Sequence, residues 1–248
     1  MAKNTDKNLY TILFATGMVL VVGALLAFLA SSLKEKIAEN KRIEKQQNIL
    51  YAMGINENDE SSVTFVSKDI VGSEFSKYIT KQLVITGLNA VEDDKAYLID
   101  LKKEEALAKN PNYQRRLPLF IGEKDNQDFY VIPVRGKGLW DAIWGYVALD
   151  KDLVVQGVFF DHAGETPGLG SNIKERFFMD DFKGEHILDG DTFKGITAAK
   201  GNADPKNMTK TDFEVDAIAG ATITGDGLSA MLKKDLKMYL PYLKTLKQ

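Results

Sequence analysis

The segment from Asp216 to Thr224 reads Asp-Ala-Ile-Ala-Gly-Ala-Thr-Ile-Thr and combines small residues with two threonine hydroxyls. Apolar and polar residues alternate before it, as in a strand, and an apolar repeat with helical spacing begins after it at Leu228. Thr222 is therefore predicted to lie where a strand passes into a helix, with Thr224 as the N-cap. The free N–H groups and the positive dipole end of such a helix bind anions, phosphate above all. The segment thus predicts an anion-binding helix start.

Gly220 and Ala221 leave almost no side chain between the backbone and a neighbouring group, and a tight turn is the ordinary explanation of such a pattern. The segment also resembles Asp-x-x-Ser/Thr-Gly-Ala-Thr, the attachment motif of the covalent FMN-binding domains in the NqrC family of sodium-translocating NADH:quinone reductases and in the related flavin component of Rnf electron-transfer complexes. Asp216, Gly220, Ala221 and Thr222 match this motif, whereas Ala219 stands where the family has Ser or Thr. The resemblance implies that Thr222 carries FMN through a phosphoester bond.

A second dense segment runs from His162 to Gly170 and contains Glu-Thr-Pro-Gly-Leu-Gly. It is predicted to precede a helix that begins near Ser171, and its proline and glycines fix an unusual backbone path. A structural turn is the alternative. Such a loop can hydrogen-bond the polar rim of an isoalloxazine through its N–H groups and Thr166 while Leu169 packs on the ring. The string also resembles the second signature of the same family. His162 is expected to be structural, because an electron carrier needs no general base.

Two further residues are assigned to the same site. Trp140 follows a Gly-x-Gly-Leu segment that also occurs in the family, and it is predicted either to be a core aromatic, like Trp144, or to lie near the flavin ring. Lys200 either neutralises the flavin phosphate or is a solvated loop lysine. No catalytic residue and no metal ligand is predicted. The predicted cofactor-binding residues are Thr222, Gly220, Ala221, Thr224, Asp216, Glu165, Thr166, Gly168, Leu169, Gly170, Lys200 and Trp140.

Charge and composition exclude several classes of function. The 248 residues carry a formal net charge of −3, whereas a nucleic-acid partner requires concentrated lysine and arginine. There is no cysteine, so this chain alone can hold neither a thiolate-bound iron–sulfur cluster nor a disulfide. Its two histidines, His162 and His186, lack the spacing of a zinc site. Any redox chemistry therefore depends on an organic cofactor.

Residues 9–33 contain no charged side chain, and this run is long enough as a helix to cross a hydrocarbon layer of about 30 Å. A cleaved signal peptide is the alternative, but the run is long for one and Ala30-Ser31-Ser32 is a weak cleavage signal. Residues 34–55 are predicted to form a charged helical stem that stops near Gly54. The stem is either a solvated spacer or a docking surface for another protein of the complex.

The chain is thus divided into a tail (1–8), a transmembrane helix (9–33), the stem (34–55) and one FMN-binding domain (56–248). The predicted fold class is α+β, with a twisted, largely antiparallel sheet and flanking helices. Helices are predicted over 74–80 with Ser73 as N-cap, over 172–182, and from the attachment segment to about residue 247, where Pro241 kinks or ends the last one. Pro133 places its strand at an edge or near a strand end. Strands are predicted over 82–86, 96–100, 117–121, 129–134, 145–148 and 153–160.

Charge bias and resemblance disagree about orientation. Two lysines precede the apolar run, whereas four lysines and Arg42 follow it by residue 45, which by the positive-inside rule favours a cytoplasmic C-terminal domain. The resemblance implies the opposite, a single-pass protein of the bacterial plasma membrane whose flavin domain is extracytoplasmic or periplasmic. We follow the resemblance, since long soluble domains often translocate regardless of flanking charge.

The resemblance implies an electron-carrying subunit of a membrane Na⁺-translocating NADH:quinone oxidoreductase, inactive alone and partnered by the other subunits. It also implies a separate flavin transferase that uses FAD and magnesium. This chain has no nucleotide-binding motif that would allow it to modify itself. The flavin component of an Rnf-type electron-transfer complex, with the same covalent FMN, is one alternative. A membrane-tethered binding or scaffold domain without flavin is an alternative of another class.

Overall fold

The computed structural model describes residues 8–59, 62–201, 204 and 206–246. It divides into two units, one ending at Arg42 and one beginning at Ile43. Nearly all of the predicted tail, and the predicted end of the last helix at residue 247, lie outside the described residues. The first unit holds α1 (Asn8–Ser32) and the start of α2 (Lys34–Ala52). With a mean hydropathy of 2.6 and every side chain exposed, α1 is long and apolar enough to cross a membrane.

The second unit contains the end of α2 and all later elements. Residues 46 and 48–53 are buried there, so the compact unit begins inside the segment that the sequence assigns to the stem. The elements after α2 are α3 (Val71–Tyr78), β1 (Ile79–Thr86), β2 (Asn89–Glu92), α4 (Leu101–Leu107), β3 (Leu117–Lys124), β4 (Gln127–Lys137), β5 (Ala142–Leu149), β6 (Val155–His162), α5 (Arg176–Met179), β7 (Leu188–Asp189), β8 (Thr192–Phe193), β9 (Thr197–Ala198), β10 (Glu214–Val215) and α6 (Thr222–Leu246).

The first six strands form one sheet in the order β2-β1-β3-β4-β5-β6, and every neighbouring pair is antiparallel. This sheet with its flanking helices confirms the predicted α+β class. Two small pairs accompany it, the antiparallel β7 and β8 and the parallel β9 and β10. β10 leads directly toward α6, so the strand predicted before residues 216–224 is a short two-residue strand.

The sheet is packed on both faces, as expected when apolar residues occupy successive strand positions. Phe159 meets Tyr51 at the end of α2 edge to face, with ring centroids 5.9 Å apart. Its neighbour Phe160 points to the opposite face and meets Phe182 at 5.1 Å. Both faces of β6 are therefore buried by aromatic contacts.

Helix α6 runs along β4 and is fastened to it by close backbone approach and by one buried carboxylate. A Cβ on Gly136 would lie 2.7 Å from the Cβ of Met231, so only glycine permits this approach. Asp235 is 1% exposed and accepts a hydrogen bond from the backbone N–H of Arg135 at 2.7 Å. The direction of α6, and hence the position of its first turn, is fixed by this packing.

The predicted strand over 96–100 is wrong, because residues 96–98 form a 3₁₀ turn. The Asp93 carboxylate accepts the N–H of Lys95 at 2.8 Å, and the Ala96 N–H bonds the Asp93 carbonyl at 2.9 Å. An aspartate that captures a backbone N–H two residues on starts a turn and competes with strand pairing. The other predicted runs overlap β1, β3, β4, β5 and β6.

The predicted continuous helix over 172–182 is also wrong. The chain forms a 3₁₀ turn over 170–174, the single turn α5 and a second 3₁₀ turn over 180–182. Glu175 between the first two has extended backbone angles of −79° and 147°. Phe178 and Phe182 are buried against each other at 5.4 Å, so tertiary packing of the aromatics overrides the helical spacing.

Three smaller expectations are corrected in part. Helix α3 begins at Val71, so Ser73 lies inside it and donates its hydroxyl hydrogen to the Ile70 carbonyl instead of capping the helix. Pro133 lies in the interior strand β4, but beyond the last β3 pair, where β4 has one partner and a proline is tolerated. Helix α6 does not end at Pro241 but continues to Leu246.

Candidate functional site

The first turn of α6 is built by Gly220 and Ala221. Gly220 has a φ of +71°, a conformation that costs glycine little and other residues more. The Ala221 N–H bonds the Ile218 carbonyl at 3.0 Å, and the Ala221 carbonyl accepts the first helical hydrogen bond, from the Gly225 N–H at 2.9 Å. Thr222 is therefore the first residue of the helix, and its side chain is exposed.

The N–H groups of residues 222–224 point out of the start of this helix. Within the described part of the chain, no residue accepts a hydrogen bond from any of them. Unpaired N–H groups at a helix N-terminus, together with the positive end of the dipole, bind phosphate. The helix start therefore has the unpaired N–H groups that an anion site needs, with the Thr222 hydroxyl beside them.

Thr224 is not the N-cap that the sequence predicts. It is the third residue of α6 and 1% exposed, and its hydroxyl donates to Oε2 of Glu165 at 2.6 Å. A threonine at this position faces the interior because the helix starts at Thr222, three residues before Gly225, the first helical residue if Thr224 were the N-cap. The side chain therefore fastens the helix to the loop of residues 162–170, here called the Glu165 loop.

Glu165 is a buried carboxylate, 4% exposed, that receives hydrogen bonds from two directions. Its Oε1 accepts the backbone N–H of Trp140 at 2.9 Å and, more weakly, that of Asp141 at 3.4 Å. Burial by itself raises the pKa of this carboxyl, but the hydrogen bonds from Thr224 and from the N–H groups of residues 139–141 outweigh it and hold the pKa below its usual value. Glu165 therefore carries a negative charge at neutral pH.

Trp140 is 66% exposed, so it is not a core aromatic, whereas Trp144 is half-buried. The indole N–H of Trp140 donates to the Thr166 hydroxyl at 3.1 Å. The turn at residues 139–141 is thus held by the Glu165 loop through both backbone and side chain. This arrangement keeps a large aromatic surface exposed beside the helix start.

Glycines allow these three segments to meet. A Cβ on Gly138 would lie 2.5 Å from Oε1 of Glu165, and a Cβ on Gly170 would lie 2.5 Å from the Thr224 hydroxyl. Gly138 and Gly136 therefore serve close approach between segments of the protein. The two sequence signatures meet because small residues stand on both sides of Glu165.

A cavity of about 250 Å³ lies where the turn, the loop and the helix start meet. Its walls are Leu139, Glu165, Thr166, Leu169, Gly170, Gly220, Ala221, Thr222, Ile223 and Thr224. The structure thus brings both predicted signatures to one place. Leu139 and Ile223 were not predicted to line the site. Each is an apolar residue next to a predicted site residue, and this position was the only sequence feature that could have indicated it.

The remaining predicted residues lie outside the cavity wall. Lys200 is exposed, with its Nζ 3.9 Å from Oδ2 of Asp226, four residues after Thr222 in α6. Asp216 follows β10, and its pKa is raised by burial and by the charge of Asp204. Gly168 has a φ of +74° and shapes the loop. Trp140 is linked to the cavity wall by the hydrogen bond from its indole N–H to the Thr166 hydroxyl.

His162 lies at the start of the Glu165 loop. Its Nδ1 accepts the Glu165 N–H at 3.1 Å, which places the histidine in the loop framework. In the described ranges no group of three or more His, Asp or Glu side chains is placed to hold a metal ion.

The model of the family described as "FMN-binding domain" matches residues 138–237, a segment that contains every residue of the cavity wall. The site therefore belongs to an FMN-binding domain. The NqrC protein of Pseudomonas aeruginosa, a subunit of its Na(+)-translocating NADH-quinone reductase, is 31% identical over 241 residues, covering 92% of this chain and 91% of that protein. The same subunit of Neisseria meningitidis serogroup A is 27% identical and covers 100% and 98%. The chain belongs to the NqrC family of Na(+)-translocating NADH-quinone reductases.

Solved structures agree with this assignment. The crystal structure of the corresponding subunit from Parabacteroides distasonis has a TM-score of 0.71 and 30% identity, covering 85% of this chain and 96% of that one. The structure of NqrC from Shewanella oneidensis has a TM-score of 0.64 and 25% identity, covering 84% and 98%. The likeness includes most of the chain and is not confined to the cavity.

Proposed function

We propose that this chain is an electron-carrying subunit of a membrane Na⁺-translocating NADH:quinone reductase and holds FMN through a phosphoester bond to Thr222. One observation carries the proposal: the exposed hydroxyl of Thr222 stands in a cavity at the start of α6, beside N–H groups without a protein acceptor in the described part of the chain. The family match and the relatives support FMN as the cofactor.

The residues at the cavity fit FMN. The N–H groups of residues 222–224 suit a phosphate. Lys200 lies beside Asp226, one turn farther along α6. Leu139, Leu169 and Ile223 are exposed apolar side chains on the cavity wall, and they suit the faces of an isoalloxazine. Bound FMN supplies one- and two-electron transfer, while this chain holds it and shields part of it from water.

The attachment step balances without a redox change. The Thr222 oxygen forms a bond to the phosphorus of the FMN half of FAD, the pyrophosphate P–O bond breaks, AMP leaves with the bonding electrons, and the hydroxyl proton is lost. We propose that a separate transferase with magnesium performs this step, because the chain has no nucleotide-binding motif. Glu165 is not proposed as the base, because the hydrogen bonds that it accepts hold its pKa below the usual value.

Helix α1 supports a membrane anchor, since it has 25 residues and is apolar along its length. We propose a single-pass protein of the bacterial plasma membrane, with residues 56–248 outside the cytoplasm and in contact with the other subunits of the complex. The apolar helix has no Asp, Glu, Lys or Arg side chain, so it offers no ion path of its own.

Intact mass tests the attachment. The full-length chain is co-expressed with a flavin transferase as wild type, Thr222→Ala and Thr211→Ala, the last being an exposed threonine outside the site. We expect a gain equal to FMN minus one water in the wild type and in Thr211→Ala, and none in Thr222→Ala. If the wild type gains no mass while the transferase modifies another target, the covalent proposal fails and the scaffold alternative gains support.

A further inference from the structure

Glu165 joins three separate pieces of the chain. Its Oε1 accepts the Trp140 N–H at 2.9 Å, its Oε2 accepts the Thr224 hydroxyl at 2.6 Å, and its own N–H bonds His162 at 3.1 Å. The turn before Trp140, the Glu165 loop and the start of α6 all contribute to the wall of the cavity that contains Thr222. The carboxylate is therefore the meeting point of the parts that form the site.

The sequence places Glu165 among the residues that bind the cofactor, but the geometry gives its oxygens another use. Both accept hydrogen bonds from the protein, and the side chain is 4% exposed. Gly138 and Gly170 close in on the carboxylate, since a Cβ on either would lie within 2.6 Å of one of its oxygens. The contacts of this carboxylate are thus mainly with the protein itself.

We propose that Glu165 is a positioning residue for the attachment step: through Thr224 it fixes the first turn of α6 and so presents the Thr222 hydroxyl. This inference rests on the proposed function, in which Thr222 is the acceptor. Thr222 and Thr224 belong to the same helical turn, whose first helical bond is made by Gly225. A hydrogen bond from the third residue to a fixed carboxylate serves in place of an N-cap, because it anchors a turn that would otherwise fray.

Two substitutions remove the contact from opposite sides. Thr224→Val keeps the shape of the side chain and removes the hydroxyl, whereas Thr224→Ser keeps the hydroxyl. Glu165→Ala removes the acceptor at a position 57 residues before Thr222, too far along the chain to belong to a linear recognition sequence around the acceptor. A transferase that reads only such a sequence would be insensitive to this variant.

The rate of FMN incorporation into the full-length chain is measured by intact mass with purified transferase and FAD. We expect Thr224→Val and Glu165→Ala each to slow incorporation by about tenfold or more, the lower end of what a hydrogen bond to a charged group is worth. Thr224→Ser should restore the rate to within about twofold. The double variant should be no slower than the slower single one, since both remove one contact.

Ser229→Ala is the control for a general loss of stability. Ser229 is a buried residue of α6 whose hydroxyl accepts the Ala198 N–H at 2.9 Å, so its removal weakens the helix packing without touching Glu165. Hydrogen exchange at the Gly225 amide supplies a readout that needs no flavin. It should become faster in Thr224→Val and Glu165→Ala but not in Thr224→Ser.

The outcomes separate the two proposals. Wild-type rates in Glu165→Ala or Thr224→Val overturn the positioning role and leave Thr222 as the acceptor. An equal slowing in Ser229→Ala also overturns it, because ordinary destabilisation then accounts for the effect. A wild-type chain that receives no FMN overturns both proposals, and the exchange data then show only whether the contact stabilises the turn.

Discussion

Gly227 offers the sharpest test of how α6 is positioned. It lies where the helix crosses the end of β4, and a Cβ on it would be 2.2 Å from the Lys137 carbonyl oxygen and 3.4 Å from the Cα of Gly138. The neighbour in closest approach is backbone, which cannot rotate away as a side chain can. Gly227→Ala must therefore move the helix away from the strand.

The structure allows the size of this effect to be worked out. Favourable contacts between heavy atoms need about 3.5 Å, so the helix must shift by about 1 Å, which forfeits a large part of the packing energy along the contact. Such overpacking costs about 3 kcal/mol, whereas alanine is favoured over glycine in a helix by about 1 kcal/mol. We expect Gly227→Ala to lower the free energy of unfolding by about 2 kcal/mol.

Gly225→Ala is the matched control. It lies two residues earlier in the same helix, and a Cβ there would be 3.4 Å from the Cβ of Ala198, an ordinary contact. The gain in helix propensity then acts with little opposition, so this variant should be more stable than the wild type by up to about 1 kcal/mol. The same substitution is thus expected to have opposite signs at two neighbouring positions.

Urea unfolding of the full-length chain in detergent measures the difference. Both tryptophans, Trp140 and Trp144, lie in the second unit, so their emission reports on that unit alone. Equal midpoints for the two variants would refute the reasoning, since propensity alone would then account for both. Destabilisation by Gly225→Ala as large as that by Gly227→Ala would refute it as well, because the Lys137 contact would then have no special weight.

Two further predictions concern pH and orientation. Burial raises the pKa of Glu185 to about 7, against the hydrogen bond from Asn207 and the nearby charge of Lys210, so its ionisation destabilises the fold as pH rises from about 4.5 through 7. Relative to wild type, Glu185→Gln should therefore gain on the order of 2 kcal/mol in unfolding free energy between about pH 5 and pH 8, and a constant difference would contradict this. Because the chain has no cysteine, Ser76→Cys on the exposed side of α3 and Thr5→Cys before α1 can each be labelled with a membrane-impermeant maleimide. We expect labelling of Ser76→Cys in intact cells with a permeabilised outer membrane and of Thr5→Cys only after lysis, and the reverse pattern would place the domain in the cytoplasm.

The sheet could be predicted from the sequence because its strands carry strong local signals. β4 and β6 are rich in β-branched and aromatic residues, and their strand propensity agrees with the tertiary packing of the sheet. The interrupted helix over 172–182 could not be predicted, since its aromatic spacing fits a helix as well as it fits the contact between Phe178 and Phe182. The turn at 96–98 depends on the side chain of Asp93, whereas the strand was predicted from the apolar residues that follow it.

The site was predictable as two signatures but not as one arrangement. Thr222 and Glu165 were both assigned to it, yet the sequence does not show that the helix starts at Thr222 and not near Thr224. The exact position of the helix start decides which threonine is exposed at the cavity and which bonds Glu165. The position of a helix start within a run of small residues depends on packing farther along the helix, and here Gly136 and Asp235 supply it.

The same packing explains why glycine is required at Gly170 in the second signature and at Gly138 and Gly227 beside the two signatures. A phosphate-binding loop uses glycine so that its backbone can approach a ligand, whereas Gly138, Gly170 and Gly227 here approach protein atoms at distances that no Cβ allows. These glycines therefore affect cofactor binding only indirectly. They allow the Glu165 carboxylate and the start of α6 to pack together next to the exposed Thr222. Gly220 differs, because its positive φ and its contact with Leu169 shape the cavity wall itself. Substitutions at the first three should consequently act through the position of α6, and a substitution at Gly220 through the cavity that α6 presents.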